Sequence, residues 1–88
     1  MKVEFLKRFS KDLDDVKVKS VKQALIRLIE LRESVDSIEK IPNTKKLKGH
    51  KNAYRTRIGD YRLGFFVETS SILLARFLHR KDIYKLFP

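Results

Sequence analysis

Cysteine is absent from this chain, which removes disulfides, thiolate metal sites and a cysteine nucleophile, and fits a reducing compartment. Histidine occurs only at His50 and His79, too few for a histidine metal cluster, so no metal or other cofactor is expected. Long apolar runs are missing too. The longest, Ile72 to Ala75, is far too short to span a bilayer, and the N-terminus has no continuous apolar signal region. A soluble cytoplasmic protein with no membrane partner is expected. Acidic residues are scarce in the second half alone: residues 1–41 carry ten basic and eight acidic side chains, residues 42–88 eleven and three. The net charge of +10 is therefore divided as +2 and +8, and that imbalance predicts a polyanionic partner, either nucleic acid or an acidic protein segment.

What is present suffices for one small domain over residues 1–88. Apolar residues make up 42% of the chain and include six phenylalanines and three tyrosines, enough for a single thin two-layer core. The most informative stretch runs from Tyr54 to Val67. Gly59-Asp60, with glycine first as a type II′ turn requires, predicts a hairpin that pairs Ile58 with Tyr61, Arg57 with Arg62, Thr56 with Leu63 and Tyr54 with Phe65. Arg55 lies two residues from Arg57 on the same face. Like charges directly opposite one another weaken a sheet, so this cationic face is better explained by an anion that settles on it, phosphate above all.

Elsewhere the pattern is plainer. Residues 1–9 read as a first strand, with Val3 and Phe5 on one side, and Ser10 as the cap of a brief helix over 11–16 with Asp12 near its positive end. Ser20 and Gln23 form a capping box before a long amphipathic helix carrying Val21, Ala24, Leu25, Leu28, Leu31, Val35 and Ile38, which ends before Pro42. Ile26 falls nearly opposite that stripe. Residues 40–53 read as a basic, turn-rich connection anchored by Leu47, followed by strands over 54–58, 61–68 and 71–79. The order β-α-α-β-β-β predicts an α+β fold: a small antiparallel sheet, joined by the first strand, covered on one face by a helical hairpin and open on the other. On the open face period-two alternation puts Arg55, Arg57, Arg62, Phe66 and Glu68, with a gap at Gly64 opposite Arg55. Thr69-Ser70-Ser71 lacks a glycine to set the last register; the one that keeps Arg76 out of the core is expected.

The long helix, Leu47-Lys48-Gly49, the Tyr54-Arg55-x-Arg57-x-Gly59-Asp60-Tyr61-Arg62 hairpin and the tail His79-Arg80-Lys81-Asp82-Ile83-Tyr84 together resemble the RelE/ParE superfamily of type II toxin–antitoxin toxins over essentially the whole chain, and more the RelE side. The resemblance implies a compact sheet-and-helix fold and an acidic antitoxin that wraps the toxin, with operator DNA reached only through their complex. For RelE-type members it also implies cleavage of messenger RNA in the ribosomal A site. By position it assigns the basic pair on the second strand to Arg55 and Arg57, where lysines are familiar, the arginine after the hairpin tyrosine to Arg62, a later arginine to Arg80 and the tail tyrosine to Tyr84. Two other classes stay open: a ParE-like DNA gyrase inhibitor that cuts nothing, and an inactive binding remnant.

Metal-free RNA cleavage requires a 2′-hydroxyl to be deprotonated, a phosphorane-like transition state to be stabilised and the leaving 5′-oxygen to be protonated. Arginine suits the second need, since its planar fork bonds phosphate oxygens in pairs and stays charged. Arg57 and Arg62 are the candidates for it, with Arg55 and Arg80 positioning the RNA backbone. Lys45, Lys46, Lys48, Lys51 and Lys81 are candidate phosphate contacts along its track. Proton transfer is left to Tyr84, which also offers a stacking ring, or to His79, whose residue type titrates nearer neutrality but which stands at a strand end where imidazoles often bond backbone. Tyr61 reads as a core residue, Asp60 as a turn residue, and Glu68 and Asp82 as charge partners or rim residues.

Overall fold

A computed structural model describes residues 2–34 and 41–88 of the chain. Five strands form one sheet: β1 (Lys2–Phe5), β2 (Thr44–Lys46), β3 (Ala53–Ile58), β4 (Tyr61–Val67) and β5 (Ser71–His79). Their order is β1-β5-β4-β3-β2, antiparallel except that β1 runs parallel to β5. Helices α1 (Lys7–Asp15) and α2 (Lys19–Ser34) follow β1, and α3 (Arg80–Leu86) follows β5. No helix among the described residues is long and apolar enough to cross a membrane.

The α+β class and the β3–β4 hairpin register agree with expectation. Ile58 faces Tyr61, Arg57 faces Arg62, Thr56 faces Leu63 and Tyr54 faces Phe65. Gly59 has φ of 59° while Asp60 does not have positive φ, the signature of the type II′ turn read from the sequence. Beneath the sheet, alternate residues Leu63, Phe65, Ile72, Leu74 and Phe77 meet Phe9 of α1 and Leu25 of α2 in a core where each is at most 1% exposed. Burying a side chain of this size contributes about 1.5–3 kcal/mol. Tyr61 stacks on Phe77 with ring centroids 5.4 Å apart, consistent with its reading as a core residue.

Several local expectations are corrected. The first strand ends at Phe5, not residue 9. After Leu6 donates its N–H to Leu74 the chain turns into α1, because a helix there buries Phe9 completely. Leu6 occupies the N-cap position without a side-chain cap, and Ser10, which donates its backbone N–H to the Leu6 carbonyl, lies inside the helix. Asp12 is mid-helix rather than near the positive end. Likewise α2 begins at Lys19, and the Lys22 N–H to Val18 carbonyl bond leaves Ser20 within the first turn instead of capping it. Val35 and Ile38 fall outside the described residues. Ile26 is exposed.

The connection after α2 contains the edge strand β2. Thr44 faces Thr56 there, and their hydroxyl oxygens are 2.7 Å apart. The tail is helical: α3 folds onto the sheet face expected to be open. Ile83 and Phe87 form a second apolar cluster there with Ala53 and Ala75, flanked by Leu47, Phe66 and Leu78. Half of that face is therefore closed, and the gap at Gly64 is filled by the Phe87 ring. Phe66 is half-buried against Phe87, 5.2 Å between centroids, and Glu68 is exposed just past β4.

A bulge also separates the two ends of β5. Gly64 faces Arg76 and Phe65 faces Leu74, which leaves Ala75 as the extra residue. The bulge lets Leu74 and Phe77 both enter the lower core and keeps Arg76 out of it, as expected. β1 covers the edge of β5 only as far as Leu74. Beyond it, Asp12 takes over: one carboxylate oxygen accepts the Phe77 backbone N–H at 3.0 Å and the Arg76 Nε at 2.8 Å.

Candidate functional site

The half of the upper face that α3 leaves uncovered is a cleft of about 340 Å³ lined by Asn43, Lys45, Arg55, Arg57, Arg62 and Tyr84. Four of the six are cations and none is a carboxylate. The strands dictate this arrangement. Lys45 faces Arg55 across β2 and β3, and Arg57 faces Arg62 across β3 and β4, so alternation alone aims all four side chains at one face. The Arg57 N–H donates away from β4, to the Asn43 carbonyl at 3.0 Å. Arg57 and Arg62 are thus a non-hydrogen-bonded cross-strand pair, the kind whose side chains lie closest.

Neutral acceptors hold these guanidiniums. Arg62 Nη1 donates to the Gly59 and Tyr61 carbonyls, both at 2.9 Å, which ties it to its own turn while the side chain lines the cleft. Arg57 Nη2 donates to Asn43 Oδ1 at 3.3 Å. Asn43 was not singled out in the sequence; it follows Pro42 and has φ of 58°, a left-handed conformation that asparagine tolerates. An asparagine at a turn beside a basic strand was the only available signal. Arg55 lies over the Tyr84 ring with Cζ 4.6 Å from its centroid, a cation–π contact. Tyr84 is 62% exposed, so its phenol stands free at the cleft wall.

The structure thus brings together Arg55, Arg57, Arg62, Lys45 and Tyr84. It does not bring the remaining candidates into the cleft. Arg80 opens α3 on the surface and donates its backbone N–H to the Asp60 carbonyl at 2.8 Å. Lys46, the neighbour of Lys45 on β2, projects to the opposite side by alternation, and Lys48, Lys51 and Lys81 are exposed outside it. His79 caps α3, its Nδ1 accepting the Lys81 N–H at 3.2 Å, and its ring meets Tyr61 edge-on at 5.7 Å. That contact belongs to the lower side of the sheet. Asp82 lies in the first turn of α3, where a negative charge suits the helix dipole.

A small basic α+β protein whose sheet presents an anion-receptive cleft is the class these features define. The chain belongs to the ParE toxin family of type II toxin–antitoxin systems, parDE, whose family model matches residues 3–84. It is 40% identical over 89 residues to toxin RelE3 of Methanocaldococcus jannaschii, with 100% of both chains covered. Among solved structures, the RelB-RelE antitoxin-toxin complex from Methanococcus jannaschii contains a chain 38% identical to this one, with a TM-score of 0.84 and coverage of 97% and 99%. The archaeal RelE-RelB complex from Pyrococcus horikoshii OT3 shares the fold at 23% identity, a TM-score of 0.73 and coverage of 90% and 93%. The RelE/ParE resemblance read from the hairpin and tail is borne out, and the relatives named here lie on the RelE side.

Proposed function

We propose that this toxin is a ribosome-dependent messenger RNA endonuclease that arrests translation, and that an acidic antitoxin neutralises it. The observation that carries the reading is the cleft itself: three arginines and a lysine converge without a carboxylate, and one phenol stands beside them. Such a cluster attracts a phosphodiester and gains most when negative charge increases in the transition state. The 2′-hydroxyl attacks the adjacent phosphorus, the bond to the 5′-oxygen breaks, and a cyclic phosphate and a 5′-hydroxyl result. Arg57 and Arg62 bind the equatorial oxygens. Arg55 and Lys45 hold the flanking backbone, and Tyr84 supplies the hydroxyl for proton transfer and a ring on which a base stacks. Arg80, Lys48, Lys51 and Lys81 contact the RNA beyond the scissile phosphate, and Lys46, which projects to the other side of β2, is assigned no contact. His79 takes no part in the cleavage step, because it caps α3 and packs on Tyr61 outside the cleft.

The antitoxin reading is supported by the solved relatives, which are RelB-RelE antitoxin-toxin complexes. Arginines at 55 and 57 serve the same electrostatic role as the lysines familiar there, with bidentate geometry added. A second reading, inhibition of DNA gyrase by binding alone, is favoured by the ParE description of the matching family. One experiment separates the two: induction of the toxin, mapping of messenger RNA 5′ ends on ribosomes, and a gyrase supercoiling assay in parallel. New ends within ribosome-bound messages, with supercoiling unaffected, are expected; blocked supercoiling without new ends would replace the first reading by the second.

A further inference from the structure

Tyr84 is largely exposed, and its one described partner is the Arg55 guanidinium. Its place therefore depends on the backbone of α3, and that backbone is held by Ile83 at 0% exposure and Phe87 at 5%, which follow each other by one helical turn. The Phe87 N–H donates to the Ile83 carbonyl at 3.0 Å, so the two anchors move together.

Phe87 enters a socket made by three adjacent strands. Its floor is Gly64 on β4, and Ala53 on β3 and the bulged Ala75 on β5 belong to the same cluster. A Cβ built on Gly64 would lie 2.6 Å from Phe87 Cδ2 and 2.7 Å from Cγ, closer than carbon atoms approach. These are ring atoms near the base of the side chain, so relieving the overlap takes either a χ1 change that lifts the ring out of its cluster or a shift of the helix. Gly64 has no positive φ to explain it; the ring is the reason for the missing side chain.

The socket and the cleft share one rung of the sheet, because Gly64 and Arg55 are cross-strand partners. Gly64 receives Phe87, and Arg55 receives Tyr84 from the same helix. We infer that Gly64 and Phe87 form a positioning lock that sets the Tyr84 phenol relative to the arginine cleft, with Phe87 acting through α3 and never touching RNA. Phe87 lies beyond residues 3–84 matched by the family model. The inference deepens the endonuclease reading and rests on it for its catalytic consequence, although the geometric part stands alone.

The test is a double-mutant cycle on the free toxin with two readouts. The first is the ring-current displacement of the Arg55 side-chain proton resonances by Tyr84, followed by NMR, which needs no RNA. The second is kcat and KM for ribosome-bound messenger RNA. Gly64→Ala is expected to remove the ring-current displacement and lower kcat by about 100-fold, the scale that a misplacement of about 1 Å produces, with little change in KM. Phe87→Ala in the Gly64→Ala background removes Cγ and Cδ2 together with the clash, and because the two residues act as one device the pair is expected to lose no more than either single substitution. Should Gly64→Ala fail to fold, Phe87→Ala empties the socket from the other side and is expected to show the same paired loss. An unchanged Arg55 displacement in a folded Gly64→Ala or Phe87→Ala protein would overturn the lock, whatever happens to melting temperature. A wild type that shows the displacement and loses it on Gly64→Ala, yet cleaves no RNA, keeps the lock and rejects the endonuclease reading.

Discussion

Asp12 and Arg76, on a helix and a strand sixty-four positions apart, form a two-pronged ion pair: Nε to Oδ2 at 2.8 Å and Nη2 to Oδ1 at 3.1 Å. The hydrogen bonds that Arg76 donates to Asp12, with the carboxylate's charge, hold its guanidinium above its ordinary pKa despite partial desolvation. The arginine end of the pair therefore keeps its charge at every pH where the toxin would be assayed. The same Asp12 oxygen closes the exposed end of β5 by accepting the Phe77 N–H.

Asp12→Ala should consequently destabilise the fold more than the loss of a surface ion pair would. It leaves a half-buried guanidinium and a buried N–H without their acceptor, a change that costs about 3 kcal/mol. In a domain of this size each kcal/mol moves the melting temperature by roughly 4–8 °C. Thermal and urea denaturation of purified Asp12→Ala measure the loss; a change below about 1 kcal/mol would show that the pair acts as a solvated surface contact.

Arg57→Ala and Arg62→Ala should each abolish growth arrest while the proteins remain folded. Loss of one preorganised charged donor commonly lowers the rate on the order of a hundredfold or more. Arg62→Ala should also loosen the β3–β4 turn, because its Nη1 bridges the Gly59 and Tyr61 carbonyls, whereas Arg57→Ala spares them. Cleavage rates and circular dichroism on both variants check this, and a folded, fully toxic Arg62→Ala would reject its role.

Tyr84→Phe should impair cleavage through the lost hydroxyl, while keeping the ring beneath Arg55. Tyr84→Ala should impair it further by removing the cation–π contact and the stacking surface. His79→Gln is expected to cost about 1 kcal/mol of stability as the α3 cap weakens, with a smaller effect on cleavage than either tyrosine substitution. Normal cleavage by Tyr84→Ala with a dead His79→Gln would reverse the two roles.

Association with the antitoxin should slow as salt rises, since the cleft and the basic second half of the chain steer an acidic partner. Stopped-flow association between 50 mM and 500 mM salt reads the effect. It should appear mainly in the association rate and diminish in Arg57→Ala; an association rate indifferent to salt would place the antitoxin contacts on apolar surfaces instead.

The cationic face was legible in the chain because it depends on local rules alone. Gly59 sets the turn, the turn sets the register, and alternation then aims Arg55, Arg57 and Arg62 the same way whatever the rest of the molecule does. The strand ends near residues 58, 61, 71 and 79 were equally local. Tertiary structure decided what closes that face. Residues 80–86 carry no long periodic pattern, and their helix exists because Ile83 and Phe87 find a socket whose walls, Ala53, Gly64 and Ala75, come from three strands. Asp12 could not be read as a cap for Phe77, nor Ala75 as a bulge, because both follow from how far β1 runs along β5 and how α1 packs beside it. Turn chemistry acts within a few residues and is written there; burial is a sum over distant partners, and only the folded chain brings those partners to one place.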